Sequence, residues 1–258
     1  MTIVNFKTFV STSVLLIFSF LGLNAQKLNG AWKLTKVNGE TPAEETIKIY
    51  SNDYFMFGTY TKDGGFVRAG GGKYSTRGTE YIEVPDFHSS DSSKVRQNQT
   101  YSYSLSPKSE ELTLTAKAGN PIKETWTKVD DASSTLSGAW RFGARVNEEG
   151  LAGERRGGDS PRQTMKILSG KHFQWAAFNF ETKQFSGTGG GTYILKDNQY
   201  TETITFFSRD NNRVGMSLTF ECNLKGSDWF HKGKGTTGNP VSEVWEKIKL
   251  QSLGSSRG

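Results

Sequence analysis

Most of this chain alternates apolar and polar residues with a period of two. Between Gln199 and Phe207, one phase holds Tyr200, Glu202, Ile204 and Phe206, and the other holds Gln199, Thr201, Thr203 and Thr205. That is the pattern of a strand with one face turned to a core. The same pattern is rich in aromatic and β-branched residues and broken by Gly, Asn, Asp and Ser. It predicts eight strands in the C-terminal half, near 138–146, 163–169, 172–180, 185–195, 199–207, 213–222, 227–232 and 241–249. No helical period of useful length occurs. The links Ser169-Gly170-Lys171, Lys196-Asp197-Asn198 and Leu224-Lys225-Gly226 have hairpin length, so neighbouring strands should pair antiparallel.

The N-terminal half carries the same marks in the same order. Leu28-Asn-Gly30-Ala-Trp32 returns as Leu136-Ser-Gly138-Ala-Trp140, 108 residues on. Ile47-Lys-Ile49 returns as Met165-Lys-Ile167, and Tyr54-Phe-Met-Phe57 as His172-Phe-Gln-Trp175, both offset by 118. Gly70-Gly-Gly-Lys-Tyr74, Tyr81-Ile-Glu83 and Pro121-Ile-Lys-Glu124-Thr-Trp126 return at 119, as Gly189-Gly-Gly-Thr-Tyr193, Tyr200-Thr-Glu202 and Pro240-Val-Ser-Glu243-Val-Trp245. The offset grows mainly in the longer loop 147–162. A repeat of this length marks two copies of one domain. Eight antiparallel strands in about 110 residues close most readily as a barrel, because closure removes exposed edges. The expected fold is all-β: two tandem up-and-down barrels, 28–129 and 136–249, divided by the polar stretch Asp130–Thr135.

Residues 1–25 change the picture of destination. Lys7, the apolar run Val14–Leu23 and the small-residue end at Ala25 read as a secretory signal peptide. The apolar run is too short to span a bilayer, no later segment is longer, and no Cys near residue 25 offers a lipid-anchor site. A secreted or periplasmic protein without a membrane span is expected, with 250–258 as a disordered tail. The formal charge of +6 is modest, and the densest basic group, Arg155-Arg156 with Arg162, sits in a Gly-rich loop. A nucleic-acid partner would ask for a denser basic stripe, so none is expected. The lone Cys222 allows no internal disulfide and reads as a small buried hydrophobe.

Gly-x-Trp opening the first strand of each copy, at Gly30/Trp32 and Gly138/Trp140, resembles the signature of lipocalin and wider calycin barrels. The Gly-Gly-Gly-x-Tyr turn, the Tyr-x-Glu strand and the Glu-x-Trp-x-Lys ending extend the likeness to short lipocalin-like domains of unknown function in exported Bacteroidetes proteins. The resemblance implies a habit of binding small molecules. It also implies a structural contact, with Lys128 lying over Trp32 and Lys247 over Trp140. It implies no catalytic residues and no cofactor.

Candidate chemistry concentrates in the second copy. Glu202 is the one carboxylate in an apolar phase, so it must be paired, hydrogen-bonded or neutral. Its alternatives are a ligand contact, an acid/base group or a buried architectural tie. His172 and His231 are two of three histidines. With Glu202 they make up the residue types of a facial metal site, although nothing in their spacing enforces one, and no metal is expected. Where the first copy has Tyr54 and Met56, the second has His172 and Gln174, with the small Ala176 on the same strand face. If that face points inward, His172, Gln174 and Glu202 line a cavity in the second barrel while the first is filled. If it points outward, its polarity is solvation. Trp175, Tyr193, Tyr200, Trp229 and His231 complete the expected ligand-binding wall.

The glycine runs precede strands rather than helices, which rules out phosphate loops and favours bulges. No hydrolase, zinc-protease or Cys-x-x-Cys motif occurs. The favoured function is a binding protein for a small apolar or aromatic ligand held mainly in the second barrel. The alternatives are a protein- or glycan-interaction module, or an enzyme using Glu202 with His172 for proton transfer.

Overall fold

The computed structural model describes residues 28–106 and 108–249. The expected signal segment and C-terminal tail lie outside them. The first barrel is formed by β1 (Gly30–Val37), β2 (Glu45–Ser51), β3 (Tyr54–Tyr60), β4 (Phe66–Arg77), β5 (Glu80–His88), β6 (Gln99–Ser106), β7 (Glu111–Ala116) and β8 (Lys123–Asp130). The second is formed by β9 (Gly138–Arg145), β10 (Arg162–Leu168), β11 (His172–Asn179), β12 (Gln184–Lys196), β13 (Gln199–Phe207), β14 (Ser217–Lys225), β15 (Asp228–Lys234) and β16 (Pro240–Lys247). Each set closes antiparallel in sequence order, β1 on β8 and β9 on β16. No described helix is long and apolar enough to cross a membrane.

Local chemistry explains the joins. Asp197 and Asn198 hold φ of 50° and 60°, the two left-handed residues of a tight hairpin turn. The strand expected at 213–222 starts later, at Ser217, because Asn211–Arg213 form a 3-10 turn capped by Asp210 and Gly215 turns the chain at φ 84°. At the closed end of each barrel the indole N–H donates to a carbonyl four residues earlier: Trp32 to Leu28 at 2.8 Å and Trp140 to Leu136 at 2.9 Å. Lys128 Nζ lies 5.8 Å from the Trp32 ring centroid, and Lys247 Nζ lies 5.2 Å from that of Trp140.

Both glycine runs sit at bulges. Asp86 is the extra residue between the pairs Gly72/Pro85 and Gly71/Phe87, and Thr205 is the extra residue between Gly191/Ile204 and Gly190/Phe206. A Cβ on Gly72 would meet Val84 O at 2.3 Å, and one on Gly191 would meet Thr203 O at 2.0 Å. The bulge also corrects the simple alternation in β13. Tyr200, Glu202 and Ile204 share a phase, but the extra residue flips Phe206 to the outer face.

That outer face is buried, because the barrels pack on each other through it. Ile49, Met56, Ala69 and Phe87 of the first barrel meet Met165, Ile167, Ala176 and Phe178 of the second in one apolar cluster. Six rings stack in sequence across the joint, Tyr60, Phe206, Phe66, Phe185, Phe87 and Phe178, with consecutive centroids 5.0–6.3 Å apart. Tyr60 and Phe178, Phe206 and Phe87, and Phe66 and Phe185 are equivalent positions of the repeat. The joint therefore has a pseudo-two-fold axis between Phe66 and Phe185, the symmetry of an isologous dimer within one chain.

Candidate functional site

Each barrel buries one ion pair at the centre of an aromatic box. In the first, the inward phase of β2 places Lys48, and that of β5 places Tyr81 and Glu83. Lys48 Nζ donates to Glu83 Oε1 at 2.7 Å, and the Tyr81 hydroxyl donates to the same oxygen at 2.6 Å. Tyr50 and Tyr81 hydroxyls are 3.0 Å apart. The ammonium lies 4.8 Å from the Trp126 ring centroid and 5.4 Å from that of Phe55. Burial, and then the Glu83 charge, push both phenols well up, so they remain hydrogen-bond donors. The second barrel repeats the unit. Lys166 Nζ donates to Glu202 Oε2 at 3.1 Å, and the Tyr200 hydroxyl donates to it at 3.0 Å. Lys166 sits 5.1–5.5 Å from the rings of Tyr200, Trp229, Phe173 and Trp245. Glu202 is thus tied to a lysine and a tyrosine, the architectural alternative among those its sequence left open.

The barrels differ in what surrounds the pair. In the first, a cavity of about 500 Å³ opens at the end away from Trp32 and reaches Lys48 and Glu83. Leu34, Phe57, Tyr101 and Trp126 give it apolar wall, Thr46, Gln99 and Glu124 give it polar groups, and Arg68, His88 and Lys94 stand at its rim. Opposite Trp126 on β7 is Leu112, and opposite Glu124 is Leu114. In the second barrel the equivalent partners of Trp245 and Glu243 are Trp229 and His231. Larger side chains also replace Leu34 and Gln99, as Phe142 and Leu218. Interiors pack densely, so these exchanges take up the space that the first barrel keeps open.

Trp229 is fully buried, with its ring 5.6 Å from Trp140 and 5.1 Å from Tyr200. His231 stacks 3.9 Å from Phe220, and neither of its ring nitrogens has a hydrogen-bond partner. Burial, helped by the Lys166 charge, holds its imidazole well below the usual histidine range. Tyr193 donates to Ser169 O at 2.7 Å, Trp175 packs against the same core, and Cys222 is buried there as a free thiol that burial pushes up to about 11.

Two expected wall residues point elsewhere. Gln174 and Ala176 face the first barrel, where Gln174 Nε2 donates to Phe57 O at 3.0 Å and to Thr188 Oγ1 at 3.3 Å. The polarity of this face is neither cavity lining nor solvation but a bonded side chain in the joint, opposite in symmetry to Met56. His172 Nδ1 is 2.5 Å from Asp130 Oδ2. The same carboxylate accepts from Ser169 Oγ and the Lys171 and Gly170 amides, so the end of β8 is clamped to the β10–β11 hairpin. His172 and Glu202 lie on opposite sides of the barrel wall and form no acid/base pair. For the same reason His172, His231 and Glu202 do not assemble as metal ligands, and no group of three or more His, Cys, Asp or Glu among the described residues is placed to hold a metal.

Two basic loop residues brace the second barrel, Arg155 on its outer wall and Arg156 over Phe142, which packs against the core. Arg155 pairs with Asp228 at 2.8 Å and Glu246 at 3.1 Å, and Arg156 lies over Phe142 at 5.3 Å. The Lys48 partnership was legible as a signal in the sequence, a lysine in the inward phase of Ile47-Lys-Ile49 repeated in Met165-Lys-Ile167, but outward and inward lysines look alike there.

No curated protein matches this chain. Among solved structures, an uncharacterised protein of Saccharomyces cerevisiae is similar at 14% identity with a TM-score of 0.48, over 87% of this chain and 100% of that one. A protein of unknown function of the DUF3598 family from Nostoc punctiforme is similar at 9% identity with a TM-score of 0.23, over 87% of this chain and 98% of that one. Residues 135–254, which contain the second barrel, match a family described as a domain of unknown function, DUF4488.

Proposed function

We propose that this is an exported binding protein that holds one small, mostly apolar or aromatic molecule in the cavity of its first barrel, with the ligand's polar end toward Lys48 and Glu83. The observation that carries this is the exchange of Leu112 and Leu114 for Trp229 and His231 between the two copies. It keeps about 500 Å³ open in one barrel, within the usual range for small-molecule sites. The second barrel then serves as a filled partner that buries the outer face of the first. The lipocalin-like signature and the N-terminal signal pattern support binding and export.

Native mass spectrometry of the purified protein tests the reading. A co-purifying small molecule should be present in the wild type and in Trp229→Leu, and absent from folded Leu114→Trp. Equal ligand content in wild type and Leu114→Trp would refute the first-barrel site.

A further inference from the structure

A second recess, of about 740 Å³, lies between the barrels and belongs to neither interior. Its pseudo-two-fold counterpart is a smaller recess of about 230 Å³ beside His172. The fold itself needs no charge at these positions, because the smaller recess uses Thr192 and Thr205 where the larger one has Lys73 and Asp86. The smaller cleft keeps only Lys33 and Glu45, which pair with each other at 3.2 Å, so Lys73 and Asp86 are charges added to the larger one.

Three features show side chains held toward that cleft. Arg96 has a left-handed backbone, φ 59°, at a turn where the equivalent residue is Gly215 with φ 84°. Non-glycine residues are strained there, and such strain gathers at functional sites. Its guanidinium lies 4.0 Å from the Phe180 ring centroid and donates no hydrogen bond to another described residue. Arg141 also lines the cleft, with its Nη1 lying over Gly158, where a Cβ would meet it at 2.0 Å. On the acceptor side, the bulge residue Asp86 faces Arg96 and Lys73, and the buried Oδ1 of Asp53 has no hydrogen-bond partner. Of the other three carboxylates of the cleft, Asp228 and Glu246 are already taken by Arg155 and Arg141, and Asp159 lies beside Gly158 in the loop.

Guanidinium and ammonium donors match a carboxylate or phosphate, with arginine giving paired contacts, and Arg141, which holds Glu246 through Nε, keeps its Nη groups to give. Unused carboxylate oxygens repel a second anion but accept hydroxyl protons. We propose that this recess binds a small hydroxylated acid, its anionic group held by Arg96, Arg141 and Lys73, and its hydroxyls donating to Asp86 and Asp53. The site is independent of the first-barrel cavity.

Calorimetric titration of the full chain with glucuronate, glucose 6-phosphate, glucose and inorganic phosphate tests it. At least one of the two sugar acids should bind, which also decides between carboxylate and phosphate, and glucose should not. Inorganic phosphate should bind more weakly than the preferred acid. Arg96→Gly, which copies Gly215, should weaken binding by about tenfold or more while leaving thermal stability equal or higher. Asp86→Thr, which copies Thr205, should weaken the sugar acid more than inorganic phosphate. Leu114→Trp should leave all of this unchanged. The proposal is overturned if neither acid binds, if inorganic phosphate binds as tightly, if Arg96→Gly binds like wild type, or if Leu114→Trp abolishes binding and so moves it to the first barrel.

Discussion

Phe66 and Phe185, the same position of the repeat 119 residues apart, stack on each other with ring centroids 6.2 Å apart and planes 11° from parallel. They lie at the pseudo-two-fold axis, and the ring pairs on either side of them follow the same symmetry. Apolar burial at this joint should make the two barrels unfold as one unit. Phe206 is 3% exposed and covers Gly58, where even a Cβ would meet its ring at 2.3 Å. Phe206→Ala should therefore cost about 3–5 kcal/mol. It should also split thermal unfolding into two transitions. A single unfolding transition at the wild-type temperature would show that the barrels do not depend on this contact.

The buried pairs should behave as coupled units. Lys48→Met alone leaves Glu83 buried and uncompensated, and should destabilise by about 3–5 kcal/mol. Adding Glu83→Leu should recover most of that loss, since a buried pair replaced by apolar side chains is often neutral. Urea denaturation of the single and double variants reads the coupling. Additive losses would mean that the two side chains act separately.

The clamp at Asp130 makes the joint acid-sensitive. Burial alone would raise this carboxyl, but hydrogen bonds from His172 and Ser169 outweigh it and hold it below the usual carboxylate range. A depressed carboxyl contributes stability above its unfolded pKa of about 4, and that stability is lost as pH falls through the lower folded value. Asp130→Asn should cost about 2 kcal/mol at neutral pH and flatten the acid limb of the stability curve below about pH 4. An unchanged acid limb would remove Asp130 from the account.

His231 acts in a different window. Its imidazole is held well below the ordinary range, so the unfolded chain takes up a proton that the folded chain refuses. Its share of stability is complete above about pH 6.5 and declines as pH falls below that. His231→Leu, which copies Leu114, should be neutral or stabilising at neutral pH, because it removes two unpartnered polar atoms. It should also lose less stability than wild type between about pH 7 and 5. Identical pH slopes in the two proteins would contradict a buried neutral imidazole.

The repeat, the period-two alternation and the hairpin links made the two barrels and their boundary legible in the sequence. The direction of a strand face was legible only where no bulge intervened. Thr205 flips Phe206, and Asp86 flips Phe87, by one inserted residue that alternation cannot see. Gln174 was visible as a polar exchange for Met56, but a sequence does not say that the outside of one barrel is the inside of a joint. The cavity of the first barrel was not legible for a related reason: polar exchanges mark the second barrel, whereas the side chains beside the open space differ in volume, Leu112 and Leu114 standing where the second copy has Trp229 and His231.

That volume exchange is also the most direct test of the account. The neutral apolar dye N-phenyl-1-naphthylamine brightens on entering an apolar cavity, and its titration counts open barrels. After extraction of bound compounds, wild type should bind one equivalent, folded Leu114→Trp none, and Trp229→Leu with His231→Leu two. Undiminished binding by folded Leu114→Trp would contradict the account, because the dye would then be bound somewhere other than the first barrel.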